Sequence, residues 1–100
     1  MPTRIRLPIV IGEAVRAKVA ARNIYEDHIE EIVRESCHRT HVRRAREGGL
    51  LLLGRDRGGR YLLVALYPSH DYPGQHVLAT AREATENERR LYGRHVGRTS

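Results

Sequence analysis

Three side chains near the ends of predicted strands are suited to proton transfer and phosphate chemistry. They are His76, Tyr61 and Arg82. A histidine or tyrosine can transfer a proton, and an arginine can stabilise negative charge as it builds on a phosphate. Cleavage of RNA by its own 2′-hydroxyl needs both capabilities, so we name the three as candidate catalytic residues. The alternative is structural: Tyr61 packs on the sheet and His76 is solvated at a strand end. Arg82 then pairs with Glu83 or Glu86.

Arginines in the same segments provide a candidate phosphate-binding surface. The net charge is +6 with histidine neutral, which favours nucleic acid, anionic lipid or an acidic protein as a partner. Lys18 is the only lysine, and a guanidinium matches phosphate better than an ammonium. The coding bias of a GC-rich genome also converts lysine to arginine, but it does not explain the excess of positive charge. The candidate RNA-binding residues are Arg43, Arg44, Arg55, Arg60 and Arg89.

Cofactor and metal chemistry have no support in the sequence. Neither a phosphate-binding Walker motif nor a dinucleotide fingerprint is present. A single cysteine and scattered histidines do not provide the close ligand pairs of a structural zinc site. The acidic stretch 26–31 spreads its charges around a helix, which favours a solvated face over a metal site. We therefore expect no cofactor and no metal.

The length and composition indicate one cytoplasmic domain. One hundred residues form a single domain, 1–100, and the absence of Phe and Trp makes its core aliphatic. No apolar run approaches the roughly 20 residues of a membrane helix, so no membrane span is expected. No secretory signal is recognisable, and Cys37 has no second cysteine with which to form an intrachain disulfide.

Hydrophobic periodicity predicts the elements that position these residues. Helical spacing and strand alternation predict helices over 10–22 and 26–35, strands over 40–46, 50–55 and 60–67, and a stretch over 77–92 that begins as a strand and continues as a helix. The Thr85 to Glu88 spacing is that of a capping box at the start of the last helix. Residues 1–8 contain two prolines and are expected to be an extended lead-in or a disordered start.

This element order predicts an α+β fold with two N-terminal helices, a four-stranded antiparallel meander sheet and a C-terminal helix. The helices are expected to cover one face of the sheet. The last strand is expected to place Val77, Ala79 and Ala81 on one face and the residues between them on the other. The open face would then carry Tyr61, Thr80 and Arg82.

Several of these segments resemble the BrnT-like toxins. The family has a strand that ends in Ser/Thr-Ala-Arg, then an Ala-Thr pair, then a helix that begins Glu-Arg-Arg-x-Tyr. The stretch Thr80–Tyr92 has the same order. Leu53-Gly54-Arg55 and Gly59-Arg60-Tyr61-Leu62 are similar to the family's central strands, and the acidic helix Glu26–Val33 is also similar. On this resemblance Arg82 matches the motif arginine and Arg60 matches the arginine after the hairpin.

The resemblance implies a type II toxin–antitoxin toxin with a RelE-like fold. Such a protein is a metal-independent ribonuclease in the cytoplasm. It is neutralised in a hetero-oligomer by a cognate antitoxin that carries a DNA-binding domain, and the complex represses its own operon. Two features depart from the family pattern. The opening Trp-Asp pair is absent, and the family's Lys-His-Gly-Val motif aligns with Ala21-Arg22-Asn23-Ile24.

Three hypotheses follow for the function. The first is a ribonuclease toxin that binds RNA through arginines on an open sheet face. The second is a divergent, non-catalytic protein on the same scaffold, whose basic face holds a partner protein or nucleic acid. The third is attachment of the basic face to an anionic membrane surface.

Overall fold

The computed structural model describes residues 5–35 and 39–96. These residues form an α+β fold of five strands and three helices. Its elements in chain order are β1 (Arg6–Val10), α1 (Glu13–Ala20), α2 (Glu26–Arg34), β2 (His41–Arg44), β3 (Leu50–Arg55), β4 (Tyr61–Pro68), β5 (Gln75–Glu83) and α3 (Glu86–Val96). A short 3-10 turn, Arg46–Gly48, joins β2 to β3. No helix in these ranges is long and apolar enough to cross a bilayer.

The sheet has the strand order β1-β5-β4-β3-β2. The four strands β2 to β5 pair antiparallel with their neighbours in sequence. The predicted four-stranded antiparallel sheet is nevertheless wrong in detail, because β1 adds a fifth strand that runs parallel to β5. Part of the segment 1–8 is thus a sheet edge rather than a lead-in, while residues 1–4 lie outside the described range. A parallel partner distant in the sequence has no local signature, so alternation alone did not reveal β1.

One face of the sheet carries the main core. Leu52, Val64 and Leu66 alternate toward this face, and α1 and α2 cover it. From α2 the predicted stripe of Ile29, Ile32 and Val33 is buried against the strands. The core described here is aliphatic, as the absence of Phe and Trp requires. Each fully buried side chain of this kind stabilises the fold by about 1.5–3 kcal/mol.

The other face, called here the second face, is covered in part by α3. Leu53 points to this face because it follows Leu52 in the strand, and it is only 3% exposed. The helix α3 packs against β2 and β3, and Tyr92 of α3 meets the Tyr61 ring edge-on. The expectation that all helices cover one face is therefore wrong. The face on which α3 packs depends on its contacts with β2 and β3, and the periodicity of the helix sequence does not predict these contacts.

A bulge in β5 changes which of its side chains reach the core. Leu66 pairs with Leu78 but Ala65 pairs with Thr80, so Ala79 is an extra residue in the strand. Leu78 and Ala81 are consequently both buried on the core side, although they are three residues apart. The predicted alternation, which placed Leu78 and Ala81 on opposite faces, is wrong for this reason.

Gly54 lies where α2 approaches β3 most closely. A Cβ at this position would sit 2.9 Å from the Thr40 Oγ1 and 3.1 Å from the Ile32 Cγ2. The Thr40 hydroxyl is not free to move, because it donates a buried hydrogen bond of 2.7 Å to the Ile32 carbonyl. A glycine is therefore needed here for space.

We expect Gly54→Ala to lower the free energy of unfolding by about 1–3 kcal/mol, the usual cost of overpacking a core. Gly93→Ala is the control, since Gly93 lies in α3 with no atom within 4 Å of its would-be Cβ. There alanine should stabilise by about 0.5–1 kcal/mol through helix propensity. Thermal or urea unfolding measures both. Two changes of the same sign would contradict this packing.

Candidate functional site

A bidentate ion pair fixes the direction in which the chain leaves β5. Arg82 donates from Nη1 and Nη2 to the two carboxylate oxygens of Glu88, each at 2.9 Å. The predicted capping box is confirmed. The Thr85 amide donates to Glu88 Oε1 at 2.8 Å, and the Glu88 amide donates to the Thr85 hydroxyl at 3.2 Å. One carboxylate therefore caps α3 and ties it to the end of β5.

This pair is charged at neutral pH. The hydrogen bond from Arg82 is the main cause that lowers the pKa of Glu88, and the Thr85 amide adds to it, while burial opposes the shift. The same hydrogen bond raises the pKa of Arg82 above its ordinary value. Arg82 pairs with neither Glu83 nor Glu86 through their carboxylates, since its further contact is with the Glu83 backbone carbonyl at 3.0 Å.

Arg89 and Tyr92 are three residues apart on α3 and therefore project from one side of the helix toward Tyr61. The Arg89 guanidinium carbon lies 4.8 Å from the centre of the Tyr61 ring. The Tyr92 ring is 5.3 Å from the same centre at an interplanar angle of 75°. Arg55, the cross-strand neighbour of Tyr61, lies 5.6 Å from it. We call these four residues the tyrosine–arginine cluster.

The turn before β4 shapes the position of Arg55. Gly59 has a φ of 89°, and its would-be Cβ lies 3.3 Å from the Arg55 Nη2. A side chain at this turn would be strained and would press on the guanidinium. Gly59 therefore permits both the left-handed turn and the approach of Arg55 to the Tyr61 ring.

The two arginines of the cluster are available to an anion. Within the described ranges no carboxylate lies at ion-pair distance from Arg55 or Arg89. Arg90 differs, because it pairs with Glu86 at 3.0 Å. The ring of Tyr61 attracts both guanidinium groups through its π-face and leaves their N–H groups free to donate.

Tyr92 is the residue of this site that sequence reasoning missed. Burial is the main cause that raises its pKa, and the neighbouring Tyr61 phenol adds to the shift, while Arg55 and Arg39 oppose it. Its hydroxyl is therefore protonated across physiological pH and is a hydrogen-bond donor. The sequence shows Tyr92 in the Glu-Arg-Arg-x-Tyr stretch of the last helix. It does not show that this helix packs Tyr92 against Tyr61 of β4.

A cleft of about 490 Å³ adjoins the cluster. It is lined by Tyr61, Ala84, Glu86, Arg89 and Arg90. This volume is within the range of small-molecule sites, about 300–1,000 Å³. The cleft can hold a phosphate with its sugar next to Arg89 and Tyr61.

The structure brings Tyr61 and Arg82 to the same region but not His76. Arg82 pairs in register with Leu63, two residues from Tyr61 on β4. His76 is six residues from Arg82 along β5, about 20 Å at the usual strand rise. It is also buried, with 8% exposure, rather than solvated at a strand end. The three candidate catalytic residues therefore do not form one site.

The candidate RNA-binding arginines are divided in the same way. Arg55 and Arg89 belong to the cluster. Arg43 lies on the second face opposite Leu51, farther along the sheet. Arg44 points to the other face and lines a separate cavity with His76. Arg60 is engaged in the fold, because it donates to the Asn23 carbonyl at 2.6 Å and lies 3.5 Å from the Asp56 carboxylate.

Comparison with known proteins identifies the fold. No protein-family model matches the chain, and no curated protein matches it. Among solved structures, the crystal structure of the Brucella abortus ribonuclease toxin BrnT matches it with a TM-score of 0.58. The two proteins share a fold. The match covers 78% of this chain and 96% of that chain, at 17% sequence identity.

The segment 21–24 supports the end of β5 that carries Arg82. Asn23 has a φ of 60°, a left-handed conformation that asparagine tolerates better than most residues. Ile24 is fully buried. Arg22 donates to the Ala81 carbonyl at 2.8 Å and to the Thr80 hydroxyl at 3.2 Å. Thus Arg22 connects the end of α1 to the strand that carries Arg82.

Three of the four acidic residues of α2, Glu26, Glu30 and Glu31, are paired with protein groups. Glu31 accepts from the Arg57 amide at 3.0 Å, and Glu30 pairs with Arg34 at 3.5 Å. His28 accepts from the Tyr25 amide at 3.0 Å. Among the residues placed by the structure, no three histidine, cysteine or acidic side chains form a group able to hold a metal ion.

We expect Glu88→Gln to lower the free energy of unfolding by about 1 kcal/mol at pH 7, a value discounted because the Arg82 side chain is 41% exposed. The Glu88 pKa is below its ordinary value of 4.5, so the charged carboxylate stabilises the fold above that pH. This stabilisation is lost as the pH falls through the lowered pKa. The difference between variant and wild type should therefore shrink below pH 4.5.

Urea unfolding at pH 7 and pH 3 measures this difference. Glu86→Gln removes the same charge from an exposed pair and should change stability by less than about 0.5 kcal/mol. A Glu88→Gln effect of equal size at both pH values would show that its charge is not what stabilises α3.

Proposed function

We propose that this protein is the toxin of a type II toxin–antitoxin system and a metal-independent ribonuclease that cleaves RNA by attack of the 2′-hydroxyl. The observation that carries this proposal is the pair of arginines held on the Tyr61 ring without a carboxylate partner among the described residues. The BrnT-like fold supports it, since the matched structure is that of a ribonuclease toxin. The proposed substrate is cytoplasmic RNA.

Arg55 and Arg89 would bind the non-bridging oxygens of the scissile phosphate. They come from different elements, β3 and α3. Arg89 lines the cleft, and Arg55 lies 5.6 Å from the ring of Tyr61, which also lines it. Charge increases on these oxygens as the pentacoordinate phosphorane forms. Donors already in place stabilise that charge without reorganising, which makes this the largest expected contribution to catalysis.

Tyr92 is the proposed donor to the leaving 5′-oxygen. Its raised pKa keeps the phenol protonated, and its ring lies 5.3 Å from the ring of Tyr61, which lines the cleft. A phenol positioned in this way lowers the energy of the departing alkoxide by donating its hydrogen bond and then its proton, while the proton of the attacking 2′-hydroxyl passes to solvent water, which also reprotonates the phenol. Tyr61 has a different role, because its ring is the surface on which both guanidinium groups are held.

Arg82 is proposed as a positioning residue. Both of its terminal nitrogens are bound to Glu88, so its contribution to an RNA site is to hold α3 and hence Arg89 and Tyr92. This differs from the catalytic role first expected of it. His76 is too far from the cleft to act there.

A partner antitoxin with a DNA-binding domain is part of this proposal. The positive charge of the chain, +6, favours a partner segment that is acidic where it covers the cluster. Addition of the protein encoded by the neighbouring reading frame should inhibit cleavage. Continued cleavage in the presence of a bound partner would argue against neutralisation at this site.

A non-catalytic binding protein is the second candidate. The engagement of Arg82 by Glu88 favours it, since the motif arginine is held by the fold instead of facing a ligand. The distance of His76 from the cleft favours it as well. In this case the cluster binds RNA or an acidic segment but does not cleave the backbone.

The arginine pair is tested by RNA cleavage with purified protein in the presence of EDTA. Arg89→Gln and Arg55→Gln should each reduce the cleavage rate by about 10²–10³, as expected for loss of one charge-stabilising donor. Arg34→Gln, which removes the same charge from α2 on the other face, should retain the wild-type rate. Loss of activity on chelation would contradict metal independence. RNA binding without cleavage by the wild-type protein would support the second candidate.

The role of Tyr61 is tested by replacing the hydroxyl and the ring separately. Tyr61→Phe keeps the π-face on which Arg55 and Arg89 lie and should retain cleavage within about threefold. Tyr61→Leu removes that face and should lower cleavage as far as loss of one arginine does. Circular dichroism checks that both variants fold. Equal loss in the two variants would instead assign the proton-transfer role to the Tyr61 hydroxyl.

A further inference from the structure

A further cavity lies at the opposite end of the sheet from the tyrosine–arginine cluster. It has a volume of about 360 Å³ and is lined by Arg44, Ala45, Gly48, Gly49, Leu50 and His76. His76 pairs in register with Pro68, which is seven residues from Tyr61 along β4. At the usual strand rise this separation is about 23 Å. The cavity is therefore a separate site, and its occupancy does not depend on the proposed function.

His76 indicates that the cavity holds a polar ligand. The residue is 8% exposed, and its Nδ1 is buried with no hydrogen-bond partner in the described part of the chain. Buried polar atoms in folded proteins are nearly always paired, so this one needs a partner that the described residues do not supply. Nδ1 as placed is closed to solvent, so a ligand in the cavity meets it only after a half-turn of the ring about its Cβ–Cγ bond, which exchanges Nδ1 with Cδ2.

Arg44 indicates that the ligand is an anion. It is exposed at the end of β2, and no carboxylate of the described residues lies at ion-pair distance from it. An arginine has only donors, and a histidine with a proton on Nδ1 donates as well. Two donors on separate strands are satisfied together by a group with oxygens in several directions. A phosphate has this geometry.

We propose that this cavity binds a phosphate group between Arg44 and His76. The shared chemistry is that of a phosphate oxyanion. Its source is either a free mononucleotide or inorganic phosphate, or else the backbone of a nucleic acid. The cavity is large enough for a nucleotide as well as for the phosphate alone.

The proposal is tested by following the imidazole resonances of His76 by NMR in the full-length protein. Inorganic phosphate, adenosine monophosphate and a short oligodeoxynucleotide are added separately. The oligodeoxynucleotide lacks the 2′-hydroxyl and so is not cleaved. Chloride at equal ionic strength is the reference for non-specific salt effects. We expect a saturable shift of the His76 signals with at least one phosphate probe and none with chloride.

Arg44→Gln should weaken the apparent affinity for the effective probe about tenfold or more, because it removes a charge-assisted donor. Arg43→Gln is the matched control. It removes the same charge from the next residue of β2, which points to the second face opposite Leu51. It should leave the His76 response unchanged. His76→Gln should also weaken binding of the probe. Because His76 is buried, this variant could fail to fold, and the Arg44→Gln result then decides the test.

Each outcome has a defined meaning. Shifts with inorganic phosphate and the mononucleotide identify a small phosphate compound as the ligand. A shift with the oligodeoxynucleotide alone identifies a nucleic-acid backbone. Unchanged His76 signals with all three probes would overturn the proposal and show that solvent satisfies Nδ1. An equal response in Arg44→Gln and Arg43→Gln would overturn it too. If the protein does not cleave RNA but His76 still responds to a phosphate probe, the proposed ribonuclease function is wrong and the phosphate site stands.

Discussion

The arrangement of the candidate site depends on the interaction between Arg82 and Glu88. The carboxylate accepts two hydrogen bonds from the guanidinium and one from the Thr85 amide, so the end of β5 and the first turn of α3 form one rigid unit. A helix that left β5 at another angle would not cross the second face. Leu53 would then be uncovered, and neither Arg89 nor Tyr92 would reach the Tyr61 ring. A part-buried ion pair thus sets the direction of α3, and the contacts of α3 with β2, β3 and Tyr61 complete the cover of this face and the assembly of the cluster.

Strand geometry separates the basic residues into regions with different roles. Neighbours in a strand point to opposite faces, so Arg43 and Arg44 lie on different sides of β2. Similarly, Arg60 points away from Tyr61 and joins the loop at Asn23. A surface defined only by its arginine content would have combined all of these side chains. The partners of each guanidinium distinguish them: a carboxylate or carbonyl marks a structural arginine, whereas an aromatic face leaves the donors available for an anion.

Local patterns in the sequence predicted what depends on local contacts. The capping box formed as its spacing indicates, and the apolar stripe of α2 is buried as its period indicates. The hairpin turns and the strands they join were predicted for the same reason. The parallel pairing of β1 with β5, the extra residue Ala79 and the face covered by α3 all depend on contacts between distant segments. Periodicity describes one element at a time, and a one-residue bulge puts the residues before it out of phase with those after it, so alternation that fits Ala81 misplaces Leu78.

The same limit explains why His76 was placed with the wrong partners. In the sequence it precedes Arg82 by six residues, and proton transfer next to an arginine is a reasonable reading of that spacing. In the folded sheet these six residues extend along one strand, so they separate the two side chains instead of joining them. In the antiparallel part of the sheet, β3 and β4 lie between β2 and β5, and the last residue of β2 lies at the same end of the sheet as the first residues of β5. Arg44 and His76 therefore line the same cavity. Proximity in a meander therefore follows from strand order and register, and the histidine suggested by sequence for one phosphate site belongs to the cavity at the other end of the sheet.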